Sequence, residues 1–264
     1  MAYSLKKITS IAAAHELGLV ETAAFAASSL TNALYPIHTN RLAMEKWFIE
    51  REKLSLEDLT QVTIARVTTA ITDDEAGAGA TRFAGVTTAT GNAGEKTVSW
   101  MRVRLPKVRL RDEKGDVRGW TAEQEADLKA RKEKLITSQE GVPPGTNVKF
   151  SDAFRAGLWE GRKKWFDEER DYAIEVLLTH PDHERRGHGR TLLNWAMQRA
   201  DEEGARIFLE ATAAGKPLYE KLGWREVDRL VWRLADYGAE QWGEQQVITL
   251  MIREPSCAAG EEKN

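Results

Sequence analysis

The stretch from Tyr172 to Leu193 constrains this chain more than any other. Tyr172 to Leu178 is apolar apart from Glu175, reads as a buried strand, and is halted at Pro181. A polar turn follows, with Gly187 and Gly189 two residues apart, and then Leu192, Leu193, Ala196 and Met197 at helical spacing. A strand that feeds a glycine-rich turn opening a helix is a phosphate cradle. The helix start leaves several backbone N–H groups unpaired, its dipole is positive there, and glycines let a ligand come close to the main chain. Arg185, Arg186 and Arg190 add side-chain charge at the same place. The competing reading is an ordinary strand–helix turn with basic residues on it.

Two phosphate motifs are excluded. Nothing has the Gly-x-x-x-x-Gly-Lys-Ser/Thr form of a P-loop, and the third glycine of a dinucleotide fingerprint is replaced by Leu192. What remains resembles motif A of the GNAT superfamily, the acyl-CoA N-acyltransferases. That family carries Gln/Arg-x-x-Gly-x-Gly/Ala after its fourth strand, often behind a His-Pro. Here Gly187 and Gly189 match, with His180-Pro181 upstream, and Glu184 departs from the usual Gln or Arg. An acidic residue beside a pyrophosphate is unfavourable unless it points away. Downstream, Ala205 to Ala211 reads as a strand and leads into Gly215, Leu218, Tyr219, Leu222 and Gly223, with Trp224 in place of the usual Phe. These resemble the family's Gly-x-x-Leu-Tyr-x-x-Leu/Phe-Gly-Phe block. Two linked motifs in the right order are far more specific than either alone. The resemblance spans roughly 60–253 and is clearest over 173–227.

The resemblance implies an α/β (α+β) GNAT fold, a mixed sheet of about six to seven strands flanked by helices, with a helical insertion before the fourth strand. It implies direct transfer of an acetyl group from acetyl-CoA to a primary amine of a small molecule. Arg185, Arg186, Gly187, His188, Gly189, Arg190 and Thr191 would hold the pyrophosphate. Main-chain groups freed by a splay near Leu178 and Thr179 would pair with the pantetheine arm and the carbonyl oxygen. Tyr219 matches the tyrosine that protonates the leaving thiolate in many members, or else it is a packing residue that orients CoA. Glu175 is the leading base, because a carboxylate in an apolar strand is either turned to a polar cleft or desolvated with a raised pKa. Plain alternation puts it on the face of Ala173 and Leu177. The bland alternative is a solvent-facing strand residue, and Glu210 shares the ambiguity. A non-catalytic acyl-CoA sensor and a protein or peptide N-acetyltransferase are the competing functions.

Bulk properties agree with a globular protein. Of 264 residues, 30% are charged and 42% hydrophobic, enough to bury a core. A net charge of −3 argues against nucleic-acid binding. The single cysteine, Cys257, permits neither a disulfide framework nor a thiolate metal cluster. No apolar run approaches the roughly 18 residues of a membrane span, and no secretory leader is convincing, so a cytoplasmic protein is expected. His180, His183 and His188 cluster in sequence, but their spacing does not suit zinc, and no metal is expected. A serine hydrolase is excluded by the lack of a Gly-x-Ser-x-Gly elbow.

In chain order, a strand is expected over 3–9, a helix over 13–29 broken only by Gly18, and a helix capped by Thr39 or Asn40 running into Arg51. Phe25, Tyr35, His38, Trp47 and Phe48 could wall the acceptor site, although aromatics are more often core. Strands are expected over 60–70, 82–90 and 97–105. The basic stretch from Arg102 to Arg111 reads as a solvated edge in preference to a phosphate contact. The insertion, about 112–170, carries one charged helix (122–138) and one aromatic helix (151–169). It could be a lid over the acceptor, a homodimer contact or decoration. After the helix over 189–203 and the strand over 205–211 come a short helix near 217–222 and strands over 224–233 and 246–253. One domain over 1–253 and a flexible tail over 254–264 are expected.

Overall fold

Alternation along the third strand sorts the interior into two faces. The strands are β1 (Tyr3–Ile8), β2 (Gln61–Thr69), β3 (Glu95–Arg104), β4 (Tyr172–Thr179), β5 (Ile207–Thr212), β6 (Arg225–Arg233) and β7 (Gln245–Arg253). On β3, Met101 and Val103 point to one side, and Trp100, Arg102 and Arg104 to the other. The computed structural model describes residues 3–35, 37–69, 95–111, 119–137 and 140–256. The expected strand over 82–90 and most of the C-terminal tail lie outside the described residues.

All seven strands join one mixed sheet in the order β1-β2-β3-β4-β5-β7-β6. Every pairing is antiparallel except that of β4 with β5. A parallel pair needs a crossover, and α6 (His188–Glu202) supplies it. Leu192, Leu193, Ala196 and Ala200 of α6 are buried against Met101, Val103, Ile174, Ile207 and Leu209. The short α7 (Lys216–Glu220) places Leu218 and Tyr219 in the same cluster.

The opposite face is covered by α1 (Ala14–Phe25), α2 (Ser29–Leu34), α3 (Arg41–Glu57) and α5 (Val148–Trp165), and α4 (Ala122–Thr137) lies outside α3. The helix expected over 13–29 is thus two helices. Ser28 is extended and its hydroxyl accepts the Thr31 N–H at 3.2 Å, which starts α2 afresh. Phe150 and Phe154 of α5 stack near Trp232 at ring separations of 6.4 and 5.0 Å, so this aromatic helix is core of the sheet's far half and not a lid. The charged helix α4 is latched to α3. Lys132 reaches Asp58 at 2.5 Å, and the Trp47 indole donates to the Leu135 carbonyl at 3.1 Å.

Gly18 lets α1 and α3 cross closely. A Cβ there would stand 2.7 Å from Ile49 Cγ1 and 2.9 Å from the Ile49 nitrogen, a contact that backbone cannot yield cheaply. Gly18→Ala gains helix propensity of about 1 kcal/mol but must push the helices apart. We expect a net loss of about 1–2 kcal/mol in urea unfolding; a variant as stable as the parent would mean that the crossing is not tight.

Candidate active site

The pairing of β4 with β3 and β5 builds an opening in the sheet. On β3 the consecutive residues Arg102 and Val103 pair with Val176 and Ile174, so Glu175 is the extra residue of a bulge. On the other edge, β4 pairs with β5 only through Tyr172, Ala173 and Ile174. The two parallel strands therefore part where the bulge lies. Past it, the His180 N–H donates to the Val98 carbonyl at 2.8 Å. Counting back by twos, the amides of Leu178 and Val176 also face β3, and those of Leu177 and Thr179 face the gap. This shifts the expectation for Leu178 by one residue. Its main chain belongs to the β3 ladder, its carbonyl accepts the Ser99 hydroxyl at 2.6 Å, and its side chain is buried beside Trp100. Leu177, which sequence reading passed over, presents its N–H to the gap together with Thr179.

The N-terminus of α6 meets the same gap. Gly187 is the helix cap with φ of 80°, a conformation that favours glycine, and Arg185 before it also has positive φ at 61°. The first α6 amide to find a carbonyl is that of Thr191, on Gly187 at 3.0 Å, so the N–H groups of His188, Gly189 and Arg190 lead the helix. Nothing lies within 4 Å of a Cβ built on Gly187, which leaves that side open. A Cβ on Gly189 would stand 3.4 Å from Leu218 and 3.9 Å from Leu177, so the cradle, the gap strand and α7 meet at this glycine. Glu184, Arg185, Arg186 and Arg190 are all exposed. Arg186 donates to the Tyr3 hydroxyl at 3.3 Å and to the Asp182 carbonyl at 3.1 Å. The His188 side chain is 3% exposed and turned onto the Tyr3 ring, 4.5 Å away, so only its main chain belongs to the cradle. Burial, with Arg66 and Arg186 nearby, pushes its imidazole down and keeps it neutral. No group of three or more His, Cys, Asp or Glu among the described residues is placed to hold a metal ion.

Tyr219 is buried beside Trp224, and burial pushes its phenol up to about 12, so it stays a proton donor through the neutral range.

Glu175 differs from its expectation. It lies on the face of Ala173, but the bulge puts Leu177 on the opposite face. Arg104 donates to its carboxylate at 2.8 Å and Arg162 of α5 at 3.3 Å. Burial would raise its pKa, but the two guanidiniums outweigh it and hold the carboxyl well below the usual carboxylate range. A carboxylate held in this way is a poor proton acceptor. Glu210 grips the same Arg162 in a two-pronged pair at 2.8 and 2.7 Å. Nor is the basic stretch a solvated edge along its whole length: Arg102 is buried against Glu52, and Arg104 is taken by Glu175.

Residues 117–224 match the family model of the acetyltransferase (GNAT) family. The chain carries a GNAT acetyltransferase domain. The match takes in α4 and α5 as well as the cradle, and it ends at Trp224. Among solved structures, arylalkylamine N-acetyltransferase 2 from Aedes aegypti aligns with a TM-score of 0.54 at 14% identity, covering 97% of this chain and 100% of its own. A histone acetyltransferase HPA2 and related acetyltransferase from Corynebacterium glutamicum aligns with a TM-score of 0.50 at 15% identity, covering 98% and 99%. At such identities these likenesses show the GNAT fold alone. A sequence search of the curated proteins finds no match. The matched domain is of the GNAT acyltransferase type, a class that draws its acyl group from an acyl-CoA. No helix among its described residues is long and apolar enough to cross a membrane.

Glu175→Gln would leave Arg104 and Arg162 underpaired in a site whose side chains are only 16–25% exposed. We expect a loss of about 2–4 kcal/mol at neutral pH. The folded carboxyl lies below its ordinary 4.5, so its contribution is present above that pH and is lost as pH falls through the folded value. The gap between parent and variant in urea unfolding should therefore narrow below about pH 4.5; a gap independent of pH would remove the ion pairs as its cause.

Proposed function

We propose that the domain transfers an acetyl group directly from acetyl-CoA to a primary amine of a small molecule. The observation that carries this reading is the parting of β4 from β5 at the Glu175 bulge, directly in front of the Gly187 cradle. The amide row of His188, Gly189 and Arg190, with Arg185 and Arg190 exposed beside it, suits a pyrophosphate. The Leu177 and Thr179 amides face the gap where a thioester carbonyl would gather negative charge, and donors fixed there stabilise it without reorganising. Acetyl-CoA supplies the activated acyl group. Tyr219 is the acid we assign to the departing thiolate. A phenol at about 12 is too weak an acid to lose its proton unprompted, but it can give one to a thiolate formed beside it. Glu175 is assigned no proton transfer and instead keeps the bulge in place; the proton shed by the attacking amine passes to water, and water restores the one that Tyr219 gives to the sulfur.

The small-molecule acceptor is supported by the way α4 is closed down on α3 through Lys132–Asp58 and Trp47–Leu135. A peptide would need an open groove on that side. The lone cysteine suits a reducing compartment such as the cytoplasm.

Calorimetric titration with acetyl-CoA tests the cradle. The parent should bind near micromolar, and a Gly187→Glu, Gly189→Glu double variant with an unchanged circular dichroism spectrum should not. A folded parent that binds no acetyl-CoA would end the enzyme reading. Tyr219→Phe should cut turnover by about 10²-fold and leave donor affinity in place; an unchanged rate would take Tyr219 out of proton transfer.

A further inference from the structure

Arg66 of β2 is a guanidinium that the fold leaves without a counter-charge. Ile64, two residues earlier, is buried in the cluster under α6, so alternation sends Arg66 to that same face. Across the ladder Arg66 pairs with Leu5, which makes Tyr3 its diagonal neighbour, and its guanidinium lies 5.5 Å from the centre of the Tyr3 ring. Among the described residues its side chain makes no hydrogen bond and no ion pair. Its Nε is buried, but its two terminal nitrogens are not, and the residue as a whole is half-buried. A charged fork is thus held on an aromatic face with its tips open to solvent.

This fork flanks the cradle. The Tyr3 hydroxyl accepts from Arg186 at 3.3 Å, and the Tyr3 ring covers His188, the first residue of α6. Arg66 and Arg186 both push the His188 imidazole down, which sets both charges close to the helix start. Arg185 and Arg190 are exposed there and, like Arg66, make no ion pair among the described residues. The neighbouring acids do not neutralise the group: Asp182 stands 3.8 Å from His180, and the exposed Glu184 carboxylate pairs with none of these arginines. Cations gathered at the positive end of a helix dipole repel one another unless an anion joins them. A pyrophosphate on the His188, Gly189 and Arg190 amides would answer the helix end, yet the cradle has two flanks. Gly189 faces Leu177 and Leu218 at the gap, whereas His188 faces Tyr3 on the side of Arg66.

We propose that Arg66, seated on Tyr3, binds the 3′-phosphate on the ribose of CoA. The proposal rests on the acetyl-CoA reading and adds the nucleotide end of the donor to it. With the pyrophosphate on the helix start and the pantetheine arm leaving past Gly189 into the gap, the nucleotide leaves on the opposite flank, where Arg66 stands. Only the ribose separates the 3′-phosphate from the pyrophosphate. That group is a phosphate monoester with a charge of about −1.5 to −2 at neutral pH. A guanidinium suits it, because the planar fork meets two phosphate oxygens at once. Stacking on Tyr3 already restricts the fork, so less freedom is lost when the phosphate arrives.

Dephospho-CoA, which lacks that one group, provides the test. Calorimetric titration of the full chain should show CoA binding about tenfold or more tightly than dephospho-CoA. Arg66→Gln should weaken CoA alone and bring the ratio close to one. Arg66→Lys, which keeps the charge but not the fork, is the second variant if Arg66→Gln folds poorly, and it should lose part of the ratio. Equal affinities in the parent would overturn the proposal and leave the acetyl-CoA reading in place. So would an Arg66→Gln variant that loses CoA and dephospho-CoA to the same extent, because Arg66 would then serve the pyrophosphate or the fold. A parent that binds neither nucleotide would remove the acetyl-CoA reading itself. A CoA preference that Arg66→Gln abolishes, in a chain that transfers no acetyl group, would uphold the phosphate site and sink the transfer.

Discussion

Strand β4 cannot pair along its whole length with both neighbours, because Glu175 gives it one residue more than β3 offers opposite. The bulge flips the alternation. Amides that face β5 at Tyr172 and Ile174 give way to amides that face β3 at Val176 and Leu178. With the alternation shifted by one residue, the groups of Leu177 and Thr179 that face this side fall out of register with β5, and the strands diverge. The gap that defines the site is thus a consequence of hydrogen-bond counting, and a charged residue at the extra position keeps it from being annealed. Glu175 is tied by Arg104 and Arg162 to a strand on one side and a helix on the other. A slip of register would strand these charges in a half-buried place.

Ion pairs recur over this face of the sheet. They run from Glu21 through Arg51, Glu52 and Arg102 to Arg104, Glu175, Arg162 and Glu210. Buried pairs of this sort add little net stability, because desolvation offsets their attraction. They do fix geometry, since each partner left alone would be a buried charge. The crossing at Gly18 brings α1 close enough to α3 for Glu21 to reach Arg51. Both faces hold apolar clusters, and the one under α1, α3 and α5 carries this polar lattice as well.

Much of this was legible in the residues. The cradle could be read because Gly187 must adopt positive φ and because Leu192, Leu193 and Ala196 repeat at helical spacing, and both are local properties of the chain. Strand and helix positions followed period-two and 3.6-residue patterns over most of the described chain. The break at Ser28 was missed, since a short capped helix directly after another carries the same apolar composition. Glu175 was read with the wrong environment, and Leu178 in place of Leu177, for one shared reason. A bulge is a mismatch between two strands, and one strand's sequence does not display it. Arg102 and Arg104 looked like a solvated run because their carboxylate partners lie 50 and 71 residues away.

The sequence by itself determined the family resemblance, the glycine turn that opens α6 and the order of the parts, because these depend on backbone conformations and periodicities set by neighbouring residues. Tertiary structure alone decided which main-chain amides face the gap, that Glu175 is locked by arginines, and that Glu21, Arg51, Glu52 and Arg102 share one buried place. Those outcomes depend on register between strands and on contacts between residues distant in the chain. Charges acquire their roles only when folding brings their partners within a few ångströms and takes water away.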